Sequence, residues 1–394
     1  MAHIQQVKDK EGNTIAYRAF VELGIDPATG NRKRITKTFD RSKDAEKWAS
    51  KKINSLNEGT FIDPSEITVK EYFLNRWLEN HKKPNIAATT YDGYMQFLNG
   101  HILPELGALK LQDLKPHHLE TYFNKKRKSG RKDGKRGGLT ENSLKKHYVI
   151  INEGLKRAIK LEILKANPAQ GIDPPKPKKP KAKAMSKKEY HMLLEVLKED
   201  QFMYTFVMTD LMTGMRRSEI LGLEWSDIDL INGIITVEKR LVAVRVKDTD
   251  RTAGTLHESA TKTDKSTRRI KISNTLIKLL KTFKKKQQEL RLLVGTDYDD
   301  SKQFVFSRPD GKNYHPRTIS RYFKKAVIKA ELPKEYSLHT LRHTFATINL
   351  KNGVPAKIVQ EMLGHSKVST TLDIYTHVDL DMQKEAVKKL DDNF

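Results

Sequence analysis

"SLHTLRHTFATINLKNGVPAKIVQEMLGHSKVSTTLDIYTHV" (337–378) is the stretch from which the rest of this chain is read. Leu338, Leu341, Phe345 and Ile348 recur at helical spacing and predict the buried face of a helix. His339 and Arg342 lie three apart and share another face. His339 and His343 are four apart, which is also a metal-pair spacing. A zinc-protease helix needs a glutamate beside its first histidine, and Thr340 stands there instead, so no metal site is expected. One of these two histidines is read as structural. Val354, Ile358, Val359 and Met362 then predict a second helix, with Pro355 in its first turn and Gly364 as its C-terminal cap. His365 follows directly. Ser369 or Thr370 is read as the cap of a next short helix, which carries Tyr375. A tyrosine near a histidine is ordinarily packing, so its role depends on the remainder of the chain.

Upstream, Pro316–Ala330 reads as a helix with Ile319, Tyr322, Phe323, Ala326 and Val327 inward and Arg317, Arg321, Lys324 and Lys325 on other faces. In "TKTDKSTRRIKI" (261–272), Lys262 ends a polar loop just before a strand, where a long side chain can enter a cleft. In "TGMRRSEILGLEW" (213–225), Gly214 breaks one helix, and Ser218 and Glu219 open another carrying Ile220, Leu221 and Leu223, with Arg216 at the junction. Strand-like stretches, "GIITVEKRLVAV" (233–244) and "RRIKIS" (268–273), flank the polar loop, so residues 185–394 are expected to be mixed α/β. The tail, 379–394, has a short apolar stripe of Met382, Ala386, Val387 and Leu390. A free helix that short is marginal in water, so it must dock to be stable.

"PPKPKKPKAKA" (174–184) holds five lysines and four prolines. Such a segment is semi-extended, and 173–184 is read as a basic linker between domains. Residues 66–172 read as a helical domain. Val69, Tyr72, Phe73, Trp77 and Leu78 make one stripe, and Leu139–Leu164 gives a long helix capped by Thr140 with Leu144, Val149, Ile151 and Leu155 along it. A basic, glycine-rich loop (125–138) joins the two. In residues 1–60, Ile15, Tyr17, Ala19, Val21 and Leu23 alternate as in a half-buried strand. "DPATG" (26–30) is a turn, Ile35 and Phe39 mark a second strand, and Ala45, Trp48, Ala49, Ile53 and Leu56 follow at helical spacing. A small sheet with one helix laid on it is expected. The fold class is therefore multi-domain, mainly α with small β elements.

The 394 residues carry a net charge of +25, so the expected partner is a polyanion, nucleic acid ahead of an acidic membrane surface. There is no cysteine, which excludes disulfides, thiolate metal sites and a cysteine nucleophile. No apolar run is long enough to span a membrane, and the polar start lacks a secretory signal, so a cytoplasmic protein is expected. Taken together, Arg216, Lys262, His339, Arg342, His365 and Tyr375 suit one task. Phosphoryl transfer needs cations around the non-bridging oxygens, a nucleophile, and an acid for the leaving oxygen. Here guanidiniums supply the charge; no Walker loop or aspartate cluster points to magnesium, and no cofactor is expected.

The order Arg, Lys, His-x-x-Arg, His, Tyr, in "TGMRRSE", "TKT", "HTLRH", "LGHS" and "DIYTHV", closely resembles the tyrosine recombinases, above all integrases of phages and conjugative transposons. These motifs cover the last half of the chain and are jointly very specific. His365 and Tyr375 are ten apart where many members have nine, and the extra residue falls in "TTLDIY". The resemblance implies an arm-site DNA-binding domain at 1–60, a helical core-binding domain at 66–172 and a catalytic domain at 185–394, the linked domains forming a C-shaped clamp on double-stranded DNA. It implies that Tyr375 attacks a scissile phosphate to give a 3′-phosphotyrosine, with His339 taking its proton. Arg216 and Arg342 would grip the non-bridging oxygens, His365 would donate a further hydrogen bond and Lys262 would protonate the leaving 5′ oxygen. Glu219 would orient Arg216, and His377 is exposed or structural. It further implies a homotetramer on paired sites with the tail donated between protomers, and accessory DNA-bending proteins or an excisionase as partners. The alternatives are a chromosome-dimer resolvase of the same superfamily, a non-enzymatic DNA-binding regulator, and a metal-dependent nuclease.

Overall fold

The computed structural model describes residues 2–25, 31–57, 66–177, 183–244, 255–260 and 267–372. The turn at 26–30, part of the basic linker, Lys262, Tyr375, His377 and the tail stripe lie outside the described residues. The chain divides into two compact units, Met1–Lys178 and Lys179–Phe394.

In the first unit an antiparallel sheet runs Ala2–Lys8, Thr14–Ile25, Arg32–Phe39, with Ile4 opposite Ala19 and Val21 opposite Ile35. Helix Ser42–Asn57 buries Ala45 and Ala49 against Ala19 and Val21, with Tyr17, Ile35, Phe39, Trp48 and Ile53 packed around them. Ile15 departs from the expected alternation and is exposed. The pairing shifts register between Val7 and Lys8, so Ala16 faces Val7 while Thr14 faces Lys8. Ile15 is the extra residue of that bulge, and a bulged residue loses its place on the covered face.

A separate core in the same unit holds Val69, Tyr72, Phe73, Trp77 and Leu78, all buried as the stripe predicts. Thr68 and Glu71 form a capping box that starts this helix, which continues with wider, π-type turns over Tyr72–Lys82. Helix Glu141–Lys160 starts at Thr140, whose hydroxyl accepts the Ser143 N–H. It buries Leu144, Ile150, Ile151, Leu155 and Ala158. Val149 is exposed, against expectation, because it lies about 140° around the helix from Leu144. Gly154 is required here: a Cβ would sit 2.2 Å from the Phe73 ring, and its carbonyl accepts the Tyr72 hydroxyl at 2.9 Å.

His147 is fully buried in this core, 2.8 Å from the Tyr122 hydroxyl through Nδ1. Burial, then the charges of His101 and Lys126, hold it down to about 4. An unfolded histidine takes its proton near pH ~6.5. The unfolded state therefore protonates first on acidification, and this contribution is complete above that pH and lost as pH falls towards 4. The stability difference between wild type and His147→Gln should narrow by on the order of 3 kcal/mol over that window. Denaturant melts at pH 7.5, 6 and 4.5 check it; a difference constant with pH would place the acid sensitivity elsewhere.

The second unit begins with helix Lys187–Leu197, closed at its start by a Ser186–Glu189 capping box. Helix Gln201–Thr213 follows and stops at Gly214, whose φ of 62° is the left-handed C-cap that the sequence predicts. Strands Ile228–Asp229, Ile234–Val237 and Arg268–Lys271 form a small antiparallel sheet. Residues 255–260, read from sequence as polar loop, form a strand paired with Lys239–Val244. "TLHESA" has one large apolar residue, so the partner strand rather than periodicity determines its form. Helices Asn274–Val294, Pro316–Lys329, Leu338–Lys351, Ala356–Leu363 and Val368–Leu372 complete the unit. Phe206, Ile220, Ile235, Ile270, Leu280, Phe306 and Phe323 share one core. Phe345, Ala346, Leu350, Val359 and Leu363 form a smaller one. No described helix is long and apolar enough to cross a membrane.

Candidate active site

Two glycine-capped turns and one helix bring the predicted cations together. Arg216 is the N-cap of helix Arg217–Leu221, two residues past the glycine that ends the preceding helix. The Arg216 N–H donates to Glu219 Oε2 at 2.9 Å, and its Nη1 donates to Oε1 at 2.7 Å. Glu219 thus both starts the helix and orients the guanidinium. Arg342 comes from helix Leu338–Lys351, whose buried face is Leu338, Leu341 and Phe345; Ile348 is only half-buried. Arg342 is 1 % exposed, and its fork donates to the Gly214 carbonyl at 2.5 Å and the Leu363 carbonyl at 2.6 Å.

The second turn ends helix Ala356–Leu363. Pro355 is its N-cap rather than in its first turn, and Ile358 points out to solvent. Gly364, at φ 66°, caps it as predicted. His365 follows, fixed by reciprocal bonds: its N–H donates to the Gln360 carbonyl, and the Gln360 side chain donates to the His365 carbonyl at 2.7 Å. Its Nδ1 lies 3.0 Å from the hydroxyl of Thr371, which is fully buried. Ser369 and Thr370 are not caps, because they lie inside helix Val368–Leu372.

Successive carbonyls at this helix end each take a different arginine. Arg268 Nε donates to Met362 O at 2.6 Å, Arg342 Nη2 to Leu363 O, and Arg216 Nη2 to Gly364 O at 3.1 Å. A helix C-terminus carries partial negative charge, so it is a natural seat for cations. Arg268 was missed in the sequence reading. The available signal was period two: Arg268 shares a strand face with the buried Ile270 and Ile272. Its Nη2 donates to Glu219 Oε2 at 2.8 Å. Burial pushes the Glu219 carboxyl up, but the charge and hydrogen bond of Arg268, with the Arg216 N–H and charge, outweigh it and hold it below its ordinary value. Thr371 and Asp210 were also missed. Asp210 is fully buried, and burial pushes its carboxyl up against the opposing pull of Arg342.

His365 is held down to about 3 by burial, then by the charges of Arg342 and Arg216. It is a neutral imidazole at neutral pH. His339 stands at the exposed edge of the same cluster, edge-on to His343 with ring centroids 4.5 Å apart. Desolvation, then Arg342 and Arg216, lowers His339, and burial brings His343 to about 4. Burial first, then the Arg216 charge, lowers Arg342 to about 9, which leaves it cationic at neutral pH. Among the described residues no group of three or more His, Cys, Asp or Glu could hold a metal. The arrangement gathers Arg216 with His339, Arg342 and His365, which lie more than a hundred residues further along the chain. Lys262 and Tyr375 lie outside the described residues. Cations so placed can bind an anion with dispersed charge, such as a phosphodiester.

Comparison with known proteins agrees. Residues 183–382 match the phage integrase family, and residues 70–127 match the phage integrase N-terminal SAM-like domain. A tyrosine recombinase XerC-like protein of Caldanaerobacter subterraneus subsp. tengcongensis is 30% identical, over 96% of this chain and 96% of that one. The ICEBs1 integrase of Bacillus subtilis is 26% identical, over 95% of this chain and 97% of its own. Among solved structures, the Tn1549 transposon integrase in complex with circular intermediate DNA superposes with a TM-score of 0.64 at 20% identity, covering 82% of this chain and 99% of that one. A lambda integrase tetramer bound to a Holliday junction gives 0.54 at 17% identity, covering 91% and 92%.

Proposed function

Since the chain belongs to the phage integrase family of tyrosine-type site-specific recombinases, we propose that it is the integrase of a mobile genetic element, cutting and rejoining DNA through a 3′-phosphotyrosyl intermediate. The observation that carries the reading is the convergence of Arg216, Arg342 and His365 on the turn at residues 362–365, beside His339. The Tyr375 hydroxyl oxygen forms a bond to the scissile phosphorus while the bond to the 5′ oxygen breaks. The tyrosine proton passes to His339, whose lowered pKa keeps it a free base at neutral pH. Lys262 gives a proton to the leaving 5′ oxygen. Arg216 and Arg342 balance the charge on the non-bridging oxygens. His365 acts as a hydrogen-bond donor to the phosphate through Nε2–H, the tautomer in which Nδ1 accepts from the Thr371 hydroxyl 3.0 Å away. One phosphoester replaces another, so no ATP or metal is consumed.

In this reading residues 1–60 bind arm sites, 66–172 and 185–394 bind the core site, and 173–184 is the basic linker. Four copies act on two paired sites in the cytoplasm, with DNA-bending proteins or an excisionase as helpers. The sheet-and-helix module of residues 2–57, which the resemblance assigns to arm-site binding, favours an element integrase over a chromosome-dimer resolvase. The match to the ICEBs1 integrase over 95% of this chain supports the same choice.

The test uses nicked duplexes spanning the sequence this protein protects in footprinting, end-labelled separately on either side of the cut. A denaturing gel should show protein attached to the fragment that ends in a 3′ phosphate, undiminished by a chelator. Attachment to 5′ ends, or metal-dependent cleavage with free ends, would remove the reading.

A further inference from the structure

The geometry points to Arg268 as a positioning residue for strand cleavage, one that locks the Arg216–Glu219 pair to the turn presenting His365; this rests on the function proposed above. Arg268 stands on strand Arg268–Lys271 with its side chain only 6% exposed. Its guanidinium spans two parts of the site. Nη2 donates to Glu219 Oε2 at 2.8 Å, and Nε donates to Met362 O at 2.6 Å. Glu219 Oε2 also accepts the Arg216 N–H, and Oε1 accepts Arg216 Nη1. A bond lost at Arg268 is therefore felt directly by the carboxylate that aims Arg216.

The other end of Arg268 meets the turn itself. A Cβ on Gly364 would lie 3.0 Å from Arg268 Nη1 and 3.3 Å from its Cδ and Cζ, so this side chain packs closely against the glycine that precedes His365. The strand, the helix that starts at Arg217 and the helix that ends at Leu363 share no local sequence. Arg268 bonds both of these helices to the sheet. A planar fork does this; a single ammonium cannot bond Glu219 and the Met362 carbonyl in the same geometry.

Arg268→Lys and Arg268→Gln test the role, with single-turnover cleavage and DNA affinity measured on nicked duplexes. One duplex carries an ordinary scissile phosphate, the other a methylphosphonate there. Both variants should cleave the phosphate about 10–100-fold more slowly, the size of effect seen when an outer partner of a functional group is lost. Their Kd for the site should stay within about twofold, because the Arg268 guanidinium is engaged with Glu219 and the Met362 carbonyl, and affinity comes from the phosphate contacts of other cations. On the methylphosphonate one anionic oxygen is gone, Arg216 has less charge to balance, and the deficit should shrink to about threefold or less. An equal deficit on both substrates would make Arg268 a fold residue only, and a loss confined to Kd would make it a DNA contact; either overturns the role. A wild type that forms no adduct overturns the recombination chemistry itself, whereas normal wild-type cleavage with unimpaired variants overturns this role alone.

Discussion

Tyr375→Phe should bind its DNA site as the wild type does and form no covalent adduct. The substitution keeps the ring and its packing volume and removes one oxygen. In the proposed chemistry that oxygen becomes the phosphoester bond, and nothing near it in the sequence replaces it: Tyr336 is buried and its hydroxyl donates to Glu189 at 2.8 Å, far along the chain. Removal of a covalent nucleophile leaves only binding and charge stabilisation, so cleavage should fall by on the order of 10⁴-fold or more. Affinity should hold because it is dominated by phosphate contacts spread over many lysines and arginines. The assay is a nicked site duplex, a filter-binding isotherm and a denaturing gel on the same preparation. An adduct surviving at even a tenth of wild-type yield would mean that another side chain attacks.

What could be read in the sequence differs by kind of interaction. Arg216, Arg342 and His365 were legible because each sits in a short local grammar: a glycine stop followed by a helix start, an i, i+3 pair on an apolar helix, and a glycine cap. Their assembly was legible only through the resemblance, since no spacing rule tells that residues 216 and 364 touch. The stripe at Val69–Leu78 was read correctly because helical periodicity reports burial directly. Val149 and Ile15 were misread for opposite reasons, one an angular error on a helix and the other a bulge that breaks the period. Arg268 was missed because a charge in a strand reads as a solvent-facing residue, and its partners, Glu219 and Met362, are about fifty and ninety positions away. The strand at 255–260 was missed because its pairing partner, not its own composition, fixes its form.

Arg342→Lys carries the second large effect, and it separates two tasks held by one side chain. The Arg342 fork bridges the Gly214 and Leu363 carbonyls, the ends of two helices that carry Arg216 and His365 next to them. Its Nε is buried with no partner among the described residues. Lysine keeps the charge but offers a single point, so one of those carbonyls loses its donor. An unsatisfied buried acceptor costs about 1–3 kcal/mol, and the melting temperature should drop accordingly. The larger expected effect is on rate. With the helix ends no longer held apart by a planar group, and with no fork for the phosphate, cleavage should fall about 10²–10³-fold at a temperature where the variant is fully folded. Measuring both at that temperature decides between the tasks. A lower melting temperature with cleavage within about threefold of wild type would leave Arg342 as a strut between helix ends, and the phosphate would then be held by Arg216 and His365 without it. A fall in rate with an unchanged melting temperature would instead mean that the two carbonyls find other donors, and that the fork is held in reserve for the substrate.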